Sequence, residues 1–125
     1  MRVLLVEDDA HLARSIELML KPEGFNIYSV DLGEECIDLG KLYDYDIIVL
    51  DINLPDISGL EATQRLKASS QLSWIPVVAV TANAMHGDRE MVLQAGCDGY
   101  LAKPVMKSEL LQTVATTLRR TVTAH

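Results

Sequence analysis

Basic residues are the scarce class in this chain. Eleven Lys and Arg stand against 18 Asp and Glu, for a formal net charge of -7 and a pI near 4.8. Nucleic-acid binding needs a basic face to neutralise phosphates, so direct contact with nucleic acid is not expected. An acidic surface suits cations or basic protein surfaces instead. Cysteine is also sparse. Cys36 and Cys97 are the two present, far apart and in no CxxC or His-flanked cluster. They read as small, partly buried thiols in a reducing compartment. No apolar run approaches the roughly 20 residues of a membrane helix. The start, Met1-Arg2-Val3, enters a strand directly and has no signal-peptide pattern. A cytoplasmic protein with no membrane partner is expected. His11, His86 and His125 lack the spacing of a metal or catalytic set and read as surface residues. Internal repeats, low-complexity tracts and linkers are missing as well.

What is present is a globular composition, 49% hydrophobic and 23% charged over 125 residues. That length predicts a single domain, residues 1–121, with a short tail at 122–125 and no output domain. Val3-Leu4-Leu5-Val6 is a short apolar run that predicts a strand buried on both faces. Leu12, Ile16, Met19 and Leu20 predict a helix ended by Pro22 and Gly24. A strand over 25–30 and a weaker helix over 32–42, with Leu32, Cys36 and Leu39 on one side, follow. Ile47-Ile48-Val49-Leu50 runs straight into Asp51 as a third strand. Ser58 and Glu61 fit a capping box opening a helix to about Ser69. A strand over 77–80, a helix from about 84 to 95 closed by Gly96, a strand over 99–102 and a last helix carrying Leu110, Val114 and Leu118 complete the chain. Alternating strands and helices with buried-type strands predict an α/β fold: an open, doubly wound parallel sheet covered on both faces. Ligands of such sheets bind beyond the carboxyl ends of the strands.

The residues after the strands are therefore the candidates. They are Glu7 and Asp8, Asp51, Thr81, and Lys103 followed by Pro104. Alone, Asp51 could merely cap a turn, Lys103 sit on the surface and Thr81 favour a strand end. Together they meet at one mouth. Three close carboxylates repel unless a cation neutralises them. With no Cys or His among them, Mg²⁺ suits the set, because it accepts two or three carboxylates and keeps waters for exchange with phosphate oxygens. Asp9 reads as a helix cap only. A carboxylate beside Mg²⁺, with a lysine and a hydroxyl at hand, can attack a phosphoryl group and become an acyl phosphate.

The segments LLVEDD, IIVLDINLP, VVAVTANA and GYLAKP, in that order and spacing, resemble the response-regulator receiver domain of two-component signalling over the whole chain. The resemblance implies a flavodoxin-like (βα)5 fold with strand order 2-1-3-4-5, the order the chemotaxis member of this family exemplifies. It implies Asp51 as phosphoacceptor, Mg²⁺ (or Mn²⁺ in its place) on Glu7, Asp8, Asp51 and the backbone carbonyl of Asn53, and phosphoryl contacts from Thr81 and Lys103. A cis Lys103-Pro104 peptide is implied too. Tyr100 resembles the switch aromatic that follows Thr81, and Asn53 and Asn83 stand where the family tunes dephosphorylation. Residues 1 to about 56 resemble the receiver of the cell-cycle regulator CtrA. Ser58 to Pro104 resemble single-domain and hybrid-kinase receivers such as DivK, a mosaic compatible with a natural protein or a chimera. Cys97-Asp98-Gly99 and Val105 depart from the DNA-binding subfamily at its dimer face.

The function implied is a signalling switch and not an enzyme on an external metabolite. Its implied partners are a histidine kinase or histidine phosphotransfer protein and a downstream protein target. Its implied state is a monomer or weak homodimer through the fourth helix, fifth strand and fifth helix. A Mg²⁺-dependent phosphohydrolase is the competing enzyme reading, weakened by Asn53 where such enzymes carry a second acid. A flavodoxin-like nucleotide binder is weakened by acids where a phosphate loop would need glycine or hydroxyl residues.

Overall fold

The computed structural model describes residues 1–82 and 89–124, with side chains through 119. Five parallel strands, β1 (Arg2–Val6), β2 (Asn26–Val30), β3 (Ile47–Asp51), β4 (Val77–Thr81) and β5 (Gly99–Ala102), form one sheet in the order β2-β1-β3-β4-β5. Helices α1 (Ala10–Leu20), α2 (Gly33–Leu42), α3 (Gly59–Ala68), α4 (Arg89–Ala95) and α5 (Lys107–Ala124) alternate with them. The doubly wound fold and strand order expected from the sequence are what the chain adopts.

The sheet is central because its inner strands are apolar on both sides. Along β1 and β3 successive side chains point to opposite faces. Leu4, Val6, Ile48 and Leu50 pack under α2, α3 and α4, against Cys36, Ala62, Leu66 and Val92. Val3, Leu5, Ile47 and Val49 pack under α1 and α5, against Ile16, Leu20, Leu110 and Val114. At roughly 25 cal/mol per Å² of apolar area removed from water, each fully buried Leu or Ile here is worth about 1.5–3 kcal/mol. β2 lies at an edge and is correspondingly more exposed.

Helix ends follow local chemistry. The Asp9 carboxylate accepts from the His11 and Leu12 N–H groups at 2.9 and 3.2 Å and caps α1, as expected. Pro22 sits in a 3-10 turn, Lys21–Glu23, and Gly24 closes it at φ 91. Ser58 Oγ caps α3 by accepting from Glu61 N–H at 3.1 Å. The reciprocal half of the capping box is replaced: Glu61 pairs with Arg65 one turn on, at 3.5 Å. Gly96 ends α4 at φ 108, where other residues are strained.

Two helix boundaries differ from the sequence reading. Leu32 is extended, at φ -126 and ψ 140, so α2 begins at Gly33 and Leu32 stands at its N-cap position. Leucine offers no side-chain acceptor there, and Asp56 from the β3–α3 loop supplies it. The far end of α2 is at Leu42, as expected, with Gly40 inside the helix. The last helix stays helical through Ala124, so Val122, Thr123 and Ala124 extend α5. Of the helix expected from about residue 84, the described part is Arg89–Ala95. His86, Asn83 and His125 lie outside the described residues.

Candidate functional site

Backbone ladders place the strand-end residues. Glu7 N–H donates to Val30 O at 3.0 Å, which carries the β1–β2 pairing one residue past β1. Ile52 N–H donates to Val80 O at 3.1 Å, and Lys103 N–H to Thr81 O at 2.8 Å. Asp51 and Lys103 are therefore held by the sheet itself, not by loops. β3 can turn sharply after Asp51 because Gly59 has no side chain. A Cβ there would collide with the Asp51 carbonyl oxygen, and Gly59 N–H instead donates to Ile52 O at 2.9 Å.

The side chains converge. Lys103 Nζ donates to Asp51 Oδ2 at 2.9 Å and stands 3.7 Å from Glu7 Oε1. Asn53 N–H donates to Asp51 Oδ1 at 3.0 Å. One carboxylate oxygen from each of Glu7, Asp8 and Asp51 lies within 4.8 Å of the others. Asp51 is 2% exposed and Glu7 5%, while Asp8 faces solvent. The fifth strand end also follows the expected form: the Lys103-Pro104 peptide is cis.

Crowding sets the protonation. Burial, and then the Asp51 carboxylate beside it, push the Glu7 carboxyl up to about 8; Lys103 opposes them. Burial would raise Asp51 too. The neighbouring Glu7, the Asn53 N–H and the Lys103 ammonium outweigh it and hold Asp51 below the usual carboxylate range. Burial likewise works against the Lys103 charge, but Asp51 and Glu7 keep its pKa above that of a free lysine. One cation thus serves two buried acids.

Neither Glu7 oxygen has a hydrogen-bond partner among the described residues. An orphaned buried carboxyl beside two more acids is a place that could hold a second cation. The donor set is all oxygen, which fits a hard ion such as Mg²⁺ held by two or three carboxylates and waters.

Thr81 is fully buried at the end of β4, one residue past Val80, the register partner of Asp51. Tyr100 pairs with Ala79. Ala79 and Thr81 share a face of β4, so Thr81 and Tyr100 project to the same side of the sheet. Tyr100 is half-buried against the core under α2, α3 and α4. The Arg89 guanidinium lies over its ring, 5.7 Å from the centroid. Asn53 is exposed two residues past Asp51. His11 is exposed, as expected. Cys36 and Cys97 are free and buried, deeper than the sequence suggested, with Cys97 Sγ 3.5 Å from Thr63 Oγ1.

Sequence reasoning missed Asp56 and Arg89. Asp56 follows a proline in a turn, where Asp is common for local reasons, and nothing in the local pattern shows its partner 23 residues back. Arg89 has no sequence signal pointing to Tyr100.

A protein-family model described as the response regulator receiver domain matches residues 3–115. The cell cycle response regulator CtrA of Brucella ovis is 52% identical over 120 residues, covering 96% of this chain and 51% of its own length. The chain thus spans about half the length of the curated relatives it matches, and that match runs through both halves of the mosaic. Among solved structures, the receiver domain of a sensor histidine kinase from Pseudomonas aeruginosa PAO1 superposes with TM-score 0.87 at 37% identity, covering 94% of this chain and 96% of that one. That structure holds a magnesium ion in its active-site cleft. A CheY-type chemotaxis protein of Vibrio cholerae shares the fold at TM-score 0.86 and 23% identity, covering 93% of this chain and 97% of that one. Among the described residues, no helix is long and apolar enough to cross a membrane.

Proposed function

The chain belongs to the response regulator receiver family, and from that premise we propose that it is a phosphoacceptor switch in which Asp51 takes a phosphoryl group from a phosphohistidine donor. The observation that carries this reading is the pocket of Asp51: a buried carboxylate, a lysine ammonium at 2.9 Å, and two further carboxyls within 4.8 Å.

Glu7, Asp8, Asp51 and the Asn53 carbonyl are the groups that would hold Mg²⁺. When bound, the ion neutralises the carboxylates and binds phosphoryl oxygens. Asp51 supplies the nucleophile. Its carboxylate oxygen bonds to phosphorus as the bond to the donor imidazole nitrogen breaks, and the electron pair leaves with that nitrogen. An acyl phosphate results. Lys103, already at the carboxylate, stays paired with the developing charge, and the Thr81 hydroxyl donates to a phosphoryl oxygen. Water later cleaves the acyl phosphate to carboxylate and orthophosphate, with Asn53 and Asn83 tuning the rate of that step.

Drawing Thr81 toward the phosphoryl group frees space on the face it shares with Tyr100. The ring moves inward, and the surface of α4, β5 and α5 changes with it. The donor is a histidine kinase or histidine phosphotransfer protein. The output is a protein contact at that surface, made by a monomer or a weak homodimer. The chain promotes its own phosphorylation and dephosphorylation and turns over no external metabolite. The setting for this chemistry is the cytoplasm.

Acetyl phosphate with and without Mg²⁺, followed by intact mass, tests the reading. One phosphoryl group should add only with Mg²⁺ and not to Asp51→Ala. An adduct that survives Asp51→Ala, or that ignores Mg²⁺, overturns it.

A further inference from the structure

The loop from Ile52 to Ser58 carries Asn53, and its conformation is tied to α2. Its inner end is fixed at the sheet, where Asn53 N–H donates to Asp51 Oδ1 at 3.0 Å and Gly59 N–H to Ile52 O at 2.9 Å. Its outer end is fixed by Asp56. The two carboxylate oxygens of Asp56 accept separately from the Gly33 and Glu34 N–H groups, both at 2.9 Å. These are first-turn donors of α2 that Leu32 leaves uncapped. The neighbouring contact is tight: a Cβ on Gly33 would stand 2.6 Å from Ile57 Cγ1. Glu34 then reaches Arg65 of α3 at 2.8 Å. The start of α2, the loop and α3 therefore form one clamped unit.

We infer that Asp56 is a positioning residue for the phosphoryl site: by capping α2 from the β3–α3 loop, it holds that loop closed and aims the Asn53 carbonyl at the acidic cluster. The inference rests on the reading of Asn53 as a metal ligand. The Asp56 carboxyl is also held below its usual range, mainly by the Glu34 N–H, so it is ionised throughout the neutral range. The clamp thus links metal binding to the order of α2, which touches the site through no other side-chain hydrogen bond among those described.

The test is Mg²⁺ binding to the whole chain by titration calorimetry, with unfolding in urea measured alongside. Asp56→Ala should weaken Mg²⁺ about tenfold, the low end of what losing a ligand-orienting contact costs. Asp56→Asn keeps one acceptor oxygen and should fall between. Adding Leu32→Ser to Asp56→Ala gives α2 a cap of its own. That double variant should regain the urea midpoint and leave Mg²⁺ affinity weak, which a purely structural role for Asp56 does not predict. Unchanged Mg²⁺ affinity in Asp56→Ala, or affinity restored together with stability by Leu32→Ser, overturns the inference. If Asp56→Ala does not fold, the same comparison on Asp56→Asn decides it. A wild-type chain that binds no Mg²⁺ at all sinks the site reading itself, and the inference with it.

Discussion

Removing the Lys103 charge should destabilise the metal-free protein in a strongly pH-dependent way. Lys103 Nζ lies 2.9 Å from Asp51 Oδ2 and 3.7 Å from Glu7 Oε1. At an effective dielectric of about 20, the gross attraction to Asp51 is about 6 kcal/mol, most of it offset by desolvation. Glu7 adds little at neutral pH, since its pKa near 8 leaves it largely protonated. Breaking a buried pair by deleting one partner typically costs about 3–5 kcal/mol. The variant has an escape, which is to protonate Asp51. From an ordinary Asp value of about 3.9, that proton costs about 4 kcal/mol at pH 7 and about 1.5 kcal/mol at pH 5. Lys103→Met should therefore lose about 3 kcal/mol in urea unfolding at pH 7 with EDTA, and at most about 1.5 kcal/mol at pH 5. Mg²⁺ should restore much of the loss at pH 7, because it replaces the missing cation. An equal loss at both pH values, or none at pH 7, would refute the view that Lys103 neutralises a buried carboxylate.

Two further outcomes follow from the same geometry. The Glu7 pKa rises on folding, from 4.5 to about 8, so its contribution to metal-free stability is full below pH 4.5 and is lost as pH climbs through 8. At 1.36 kcal/mol per unit the loss is at most about 5 kcal/mol, before the opposite shift of Asp51 is set against it; Glu7→Gln should flatten the decline in urea midpoint between pH 6 and pH 9. Asp9→Ala removes the α1 cap and should cost about 1 kcal/mol by thermal unfolding, yet leave the Mg²⁺-dependent adduct intact, whereas Asp8→Ala should abolish it.

Much of the site was legible because its residues follow directly on strands. An apolar run that ends in a polar residue tells which side chain reaches the mouth, and a parallel sheet brings those mouths together. Glu7, Asp8, Asp51 and Lys103 were reached that way and lie together; Thr81 was reached the same way and ends β4, and Asp9, Gly24, Ser58 and Gly96 were read from helix-end chemistry that acts within four residues. The order of the strands was not in the periodicity; it came with the family likeness. What escaped was long-range. Asp56 caps N–H groups that lie 23 and 22 residues before it, and Lys67 gathers Ile75 O and the Asp98 carboxylate, each at 2.9 Å, from outside its own helix. Arg2 lies over the rings of Tyr28 and Tyr45, 5.0 and 5.6 Å from their centroids. Such contacts depend on the packed fold, and no local pattern marks either partner.

Asp51, and no other acid of the cluster, should carry the phosphoryl group. Borohydride reduction of the acetyl-phosphate-treated protein, followed by peptide mass mapping, reads the acylated residue directly. Reduction should convert Asp51 alone, only when Mg²⁺ was present, and Glu7 and Asp8 should stay unmodified. Reduction at Glu7 or Asp8, or an unreduced Asp51 in a chain that has gained a phosphoryl group, would contradict it.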